Sequence, residues 1–194
     1  LTRQAALDDL PAWVAGAGCE SIAFHAGPGI PGKWRGIEPD TAGSGERKRL
    51  GKMLSPFATR EIHAPFGAKL GTKTPESVVR KLEQVLACAG DLGVEVVTVH
   101  ADPPPLDGPP WPDGWQRTLD TLDAAAAKAG ARIGIEFNNR FEWLRRPRRE
   151  RIGTTLDVGH MYIGNGAGYR PYGGIRRQIQ SLGDTIVHLH VHDY

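Results

Sequence analysis

The sequence predicts an α/β protein built around a parallel sheet. Two observations carry this prediction: short runs with the composition of β-strands, and helical patterns between most of them. Strands that alternate with helices at this spacing are typical of βα units. The predicted strands are Ser21–His25, Arg60–Ala64, Val94–His100, Arg132–Phe137, Thr154–Asp157 and Thr185–Val191. We expect one domain over residues 1–194.

The helical pattern at Pro75–Leu92 is the clearest of the set. Thr74 is expected to cap its N-terminus and Pro75 to occupy the first helical position. Its apolar residues form one stripe, made of Val78, Val79, Leu82, Val85, Leu86 and Ala89. The other predicted helices are Thr2–Ala17, Gly45–Leu54, Gly114–Ala129 and Gly174–Leu182.

The composition is that of an ordinary globular protein. The 194 residues are 40% hydrophobic and 24% charged, and the net charge of +2 is too small to predict nucleic-acid binding by itself. Cys19 and Cys88 lie far apart without a CxxC spacing, so neither a disulfide framework nor a cysteine zinc site is expected. No apolar stretch approaches the length of a membrane span. We therefore expect a cytoplasmic protein with no membrane partner.

Polar residues recur at the C-terminal ends of the predicted strands. Side chains alternate between the two faces of a strand, so Ile133 and Ile135 lie on one face and Glu136 lies on the other. In the final run the apolar residues lie on one face, and the other face carries His188, His190 and His192. His100 and Asp157 end their strands in the same way. Parallel βα sheets place their active sites at this edge, which predicts that these side chains point into one shared site.

Five stretches together resemble the xylose-isomerase-like superfamily of TIM barrels. This superfamily includes sugar and sugar phosphate isomerases, ketose epimerases and the family 2 apurinic endonucleases. The resemblance extends from about Ser21 to Tyr194 and implies a TIM (β/α)8-type barrel. The stretches are Ile62–Pro65, Val97–His100, Ile133–Glu136, Leu156–His160 and His188–Asp193.

The resemblance also implies roles for individual residues. Glu136, Asp157 and His190 correspond to three ligands of a divalent metal, and Glu136 would also be the catalytic base. His160 corresponds to a catalytic-site residue that contacts substrate or binds a second metal. Two further histidines match positions that hold additional metals in the endonuclease branch, namely His63 and His100.

The sequence departs from the family in its number of strands. The family barrel has eight strands, with a fourth metal ligand, a Glu, on the eighth. Six are predicted here, and the first and last βα units are missing. Six strands leave two unpaired edges. We expect the chain to be a piece of a longer barrel; the alternative is completion by a partner chain, as a homo-oligomer.

The implied donor set favours one class of cation and one reaction. One imidazole with two or three carboxylates suits Mn, Mg or Co better than a structural Zn. The first hypothesis is a sugar or sugar phosphate isomerase or epimerase of carbohydrate metabolism that removes a proton next to a carbonyl. The second is a zinc-dependent endonuclease or phosphodiesterase, and the third is a truncated, non-catalytic barrel.

The sugar hypothesis is favoured by the low net charge and by aromatic residues that would wall a small polar pocket, Trp34, Trp111, Trp115 and Phe137. A small sugar is the expected partner, and nucleic acid is disfavoured. His25, His192 and Arg170 are further candidates for metal or substrate contact, Arg170 for an anionic substrate. His188, one layer deeper on its strand, is expected to be structural.

Overall fold

The computed structural model describes residues 9–29, 36–71, 73–102, 113–136, 149–159 and 174–191. Within these ranges a helix lies between most pairs of successive strands, as the sequence predicts; the exception is the pair Arg132–Glu136 and Ile152–Asp157, between which residues 137–148 lie outside the described ranges. The helices are α1 Leu10–Gly16, α2 Ser44–Leu54, α3 Glu76–Leu92, α4 Asp113–Ala129 and α5 Gly174–Leu182. The strands are β1 Ser21–His25, β2 Thr59–His63, β3 Val96–His100, β4 Arg132–Glu136, β5 Ile152–Asp157 and β6 Ile186–His190.

The six strands form one parallel sheet in which sequence order equals spatial order. In three of the strand pairs the last residues of both strands are register partners. These pairs are His25 with His63, His100 with Glu136, and Asp157 with His190. A parallel sheet in this order brings all the strand C-termini to one edge. The predicted α/β class is therefore confirmed, and all six predicted strands are present in the part of the chain that the structure describes.

The sheet is strongly curled. In a flat sheet, β2 and β6 would lie four strand spacings apart, about 19 Å. Instead, Glu61 Oε1 on β2 lies 2.8 Å from His190 Nε2 on β6. Two side chains can meet across that separation only if the sheet bends around them. The six strands thus form an incomplete TIM barrel with an interior and an exterior face.

The hydrophobic core lies between the exterior face of the sheet and the helices. Leu82, Val85, Leu86 and Ala89 of α3 are buried, with Val78 and Val79 packed against them, so the predicted stripe is confirmed. α3 ends at Leu92, and Gly93, its C-cap, adopts a left-handed φ of +67° that lets the chain turn towards β3. Trp115 of α4, expected as a pocket wall, is instead 1% exposed within this core.

Two expectations about helix ends were wrong. Pro75 is the N-cap of α3 and not its first helical residue, and Thr74 does not cap the helix. The Thr74 hydroxyl instead accepts a hydrogen bond from Gly71 N and donates one to Gly71 O, closing the loop that precedes the helix. α1 begins at Leu10, and residues 2–8 of the predicted first helix lie outside the described residues.

The exterior face of β6 differs from that of the central strands. Alternation predicts that Leu189 and Val191 pack beneath helices, as Ile133 and Ile135 do on β4. Leu189 is 50% exposed and Val191 is 76% exposed, because no described helix covers them. Cys19 and Cys88 are free thiols, and none of the described helices has the length and apolarity of a membrane span.

Candidate metal centre

Every strand of the sheet ends in a titratable residue. The last residues of β1 to β6 are His25, His63, His100, Glu136, Asp157 and His190. Because the strands are parallel and the sheet is curled, these side chains form an arc around the interior at one rim. The arc combines four imidazoles with two carboxylates, all of which are metal-ligand types.

Glu136, Asp157 and His190 converge within this arc. His190 Nδ1 lies 3.0 Å from Glu136 Oε2 and 3.6 Å from Asp157 Oδ2. One donor atom from each residue falls within 4.8 Å of the others. Glu136 and Asp157 are each only 6% exposed, and burial of two carboxylates is costly unless each is compensated by a charge or a hydrogen bond.

Glu136 also belongs to a second group of donors. His100 Nε2 lies 3.4 Å from Glu136 Oε1, and His63 Nε2 lies 3.8 Å from Glu136 Oε2. These three residues also place one donor atom each within 4.8 Å of one another. The structure therefore brings five of the sequence-predicted site residues together, with Glu136 shared between the two groups.

A third group contains Glu61, which is not among the site residues predicted from the sequence. Glu61 is 3% exposed and lies one layer below the rim on β2. Its carboxylate contacts His190 Nε2 at 2.8 Å and His188 Nε2 at 3.0 Å, and it accepts a hydrogen bond from Thr98 Oγ1. The alternation that turns His63 inward also turns Glu61 inward, so the signal was present in the sequence.

The charges of these groups stabilise one another. Burial alone would lower the pKa of His190, but hydrogen bonds to Glu136 and Glu61 and the charges of both carboxylates outweigh burial and raise the pKa to about 10. Conversely, burial raises the pKa of Glu136, but His100 and His190 bring the net pKa well below its usual range. His188, His190 and Thr98 do the same for the pKa of Glu61.

His25 and His63 flank the site on the β1 side. Their rings stack with centroids 5.5 Å apart, and Phe66, which is 53% exposed, packs against both. Burial, together with the charges of His63 and His100, lowers the pKa of His25 to about 4. Burial and the charge of His100 also lower the pKa of His63, despite the Ala64 carbonyl. Both rings are therefore neutral at pH 7, the state in which imidazole binds metals.

The donor chemistry at the rim fits a divalent cation. Glu136 and Asp157 supply carboxylate oxygens and His190 supplies an imidazole nitrogen, all from the ends of adjacent strands. Two carboxylates and one imidazole form the oxygen-rich set that Mn, Mg and Co accept. His160, His192 and Arg170, the other predicted site residues, lie outside the described residues.

The fold and the placement of this site define a class of protein: a parallel βα barrel with polar residues at the carboxyl ends of its strands. Residues 11–194 match the family described as xylose isomerase-like TIM barrel. The chain belongs to this family. The resemblance inferred from the five stretches is thereby confirmed. No curated protein matches the chain.

Solved structures with the same fold include several sugar epimerases. D-allulose 3-epimerase from Methylomonas sp. aligns with a TM-score of 0.69 at 17% identity, over 99% of this chain and 69% of that one. D-psicose 3-epimerase from Clostridium cellulolyticum H10 aligns with a TM-score of 0.67 at 15% identity, over 97% and 68%.

A xylose isomerase domain protein from Planctomyces limnophilus aligns with a TM-score of 0.66 at 14% identity, over 88% of this chain and 62% of that one. The chain therefore spans about two thirds of the length of these neighbours. At these identities the likeness establishes the fold.

Proposed function

We propose that the protein is a divalent-metal-dependent isomerase or epimerase that acts on a sugar or sugar phosphate by removing a proton next to a carbonyl. The observation that carries the proposal is the convergence of Glu136, Asp157 and His190 at the carboxyl ends of β4, β5 and β6. Membership of the family and the epimerase activity named for several structural neighbours support the choice of substrate class.

Glu136, Asp157 and His190 would hold the cation. When bound, it would polarise the carbonyl of a keto-sugar and stabilise the negative charge that develops on the carbonyl oxygen. Mn²⁺, Mg²⁺ or Co²⁺ suits the two carboxylates and single imidazole of this set.

Glu136 would act as the base. Its depressed pKa keeps the carboxylate ionised at neutral pH, ready to accept a proton, although it also makes Glu136 a weak base. The C–H bond must therefore be acidified by the carbonyl beside it. Return of the proton to the former carbonyl carbon, with transfer of the adjacent hydroxyl proton to the former carbonyl oxygen, gives an isomer. Delivery of a proton to the original carbon from the opposite face gives an epimer and requires a second proton donor there.

The test is solvent exchange. In D₂O with Mn²⁺, the protein is expected to place deuterium next to the carbonyl of at least one member of a panel of keto-sugars and their phosphates. Glu136→Gln, which has nearly the same shape but no basic oxygen, should lower this rate by about 10²–10⁴-fold. Glu95→Gln, a carboxylate at the opposite end of the sheet paired with Arg60, is the matched control and should keep the wild-type rate.

A zinc-dependent endonuclease is the second candidate function. The observation that favours it is the group formed by His63, His100 and Glu136, which provides a place for a second ion. Binding of about three zinc ions per chain, together with cleavage of duplex DNA at abasic sites, would establish this function. The same result, with no exchange into any sugar, would contradict the isomerase proposal.

A further inference from the structure

Glu61 has no place in the proposed chemistry, yet it is the most enclosed carboxylate of the site, at 3% exposure. It lies on β2, facing β6 across the interior of the curled sheet. A carboxylate in such a position is retained only where its oxygens are satisfied. Glu61 Oε1 contacts His190 Nε2 at 2.8 Å, and Oε2 contacts His188 Nε2 at 3.0 Å.

His190 is held from both sides. Nε2 faces Glu61 in the layer below, and Nδ1 faces Glu136 Oε2 at 3.0 Å and Asp157 Oδ2 at 3.6 Å at the rim. Binding of a cation would displace one of the two ring protons that His190 carries in the metal-free protein, and the resulting neutral imidazole carries one proton and one lone pair on its two nitrogens. If Nε2 donates its proton to Glu61, the lone pair of Nδ1 points between Glu136 and Asp157, where the cation would sit.

We propose that Glu61 is the positioning residue of the metal centre: it accepts the Nε2 proton of His190 and thereby selects Nδ1 as the metal-binding nitrogen and fixes the orientation of the ring. This inference rests on the proposed metal dependence. A carboxylate that accepts a hydrogen bond from the second nitrogen of a ligating imidazole raises the basicity of the ligand and removes its rotational freedom.

Glu61 is itself held in place from the opposite side. Thr98 Oγ1 donates to Glu61 Oε1, and the Thr98 hydroxyl lies 3.0 Å from Thr155 Oγ1 across the interior. Gly134, between these two threonines on β4, leaves the space they occupy, since a Cβ there would lie 1.9 Å from Thr155 Oγ1. Below the rim, hydrogen bonds thus connect Thr155 on β5 through Thr98 to Glu61 on β2, and Glu61 contacts His190, the proposed metal ligand.

The first test measures metal affinity with Co²⁺ as the probe. Calorimetric titration of Glu61→Gln should give a dissociation constant about 10–100-fold weaker than that of the wild type. Glu95→Gln, the carboxylate control, should bind Co²⁺ as the wild type does. Far-UV circular dichroism without metal checks that both variants are folded. A dissociation constant for folded Glu61→Gln within twofold of the wild type would overturn the proposal.

The second test needs no variant. In the wild-type protein loaded with diamagnetic Zn²⁺, ¹⁵N NMR of the histidine rings should show His190 with a metal-bound Nδ1 and a protonated Nε2. Ligation through Nε2 would overturn the positioning role while leaving metal dependence intact. If the wild type binds neither Co²⁺ nor Zn²⁺, the proposed metal-dependent function itself fails and takes the role of Glu61 with it.

Discussion

Among the residues that the structure describes, three carboxylates are buried inside the curled sheet: Glu61, Glu136 and Asp157. In a fold that used its interior only for packing, these positions would be apolar, because a buried carboxylate is costly without compensation. Here His190 contacts all three. His190 therefore links the rim, where a cation would bind, to the layer beneath it.

The pKa of His190 predicts how the stability of the metal-free protein depends on pH. The pKa is about 10 in the folded protein, against an ordinary value of 6.5 in the unfolded chain. Protonation therefore stabilises the fold in full below pH 6.5, and this contribution is lost as the pH rises through about 10. The free energy of unfolding should fall between pH 7 and pH 10.

Urea unfolding at pH 6.5, 8 and 9.5 measures this dependence. His190→Gln should show a flatter profile over the same range, because it cannot titrate, and the difference between the two proteins removes the contribution of every other group. Parallel profiles for wild type and variant would show that His190 is not held as an imidazolium between Glu61 and Glu136.

Strand alternation predicted most of the site. It places Glu136, Asp157 and His190 on the interior faces of β4, β5 and β6, and the structure has them there. Alternation equally turns Glu61 inward, but the stretch on β2 that resembles the family, Ile62–Pro65, contains His63 and not Glu61. What alternation cannot predict is that β2 meets β6, since this depends on the curvature of the whole sheet.

The sequence pattern also did not predict the hydrogen-bond partners of side chains near the ends of helices. Thr74 has the composition and position of a cap, but its hydroxyl bonds to Gly71 instead. A preceding loop that offers a carbonyl and an amide competes with the helix terminus for the same hydroxyl. The choice between them depends on the path of the loop, which the sequence does not reveal.

Gly134 tests the packing of the layer below the rim. Gly134→Ala would place a methyl group 1.9 Å from Thr155 Oγ1, so Thr155 or β4 must shift. We expect a loss of about 1–3 kcal/mol in the free energy of unfolding, measured with urea. Gly45→Ala on the exposed side of α2, where nothing lies within 4 Å, is the matched control and should stabilise by up to about 1 kcal/mol. Equal stability of Gly134→Ala and wild type would contradict this packing.

The described sheet ends in β6, and no described helix covers the exterior face of this strand. Leu189 is 50% exposed and Val191 is 76% exposed, on the face that helices cover along β3 and β4. Apolar side chains on a terminal strand favour association with a further strand or helix. Such a partner would complete the curled sheet towards a closed barrel.

We expect this face to make the chain self-associate. Sedimentation velocity should show a concentration-dependent increase in mass for the wild type, and Leu189→Lys should weaken the association more than tenfold by placing a charge on the contact face. Ala87→Lys, which adds the same charge on the exposed face of α3, is the control and should associate as the wild type does. A wild type that remains monomeric at high concentration would contradict the expectation.

Anomalous diffraction from crystals soaked in Mn²⁺ would test the metal centre directly. We expect one strong peak at the carboxyl ends of β4, β5 and β6, within bonding distance of the Glu136 and Asp157 carboxylates and of His190 Nδ1. No peak at this position, or a first-occupied peak between His63 and His100 without contact to Asp157, would contradict it.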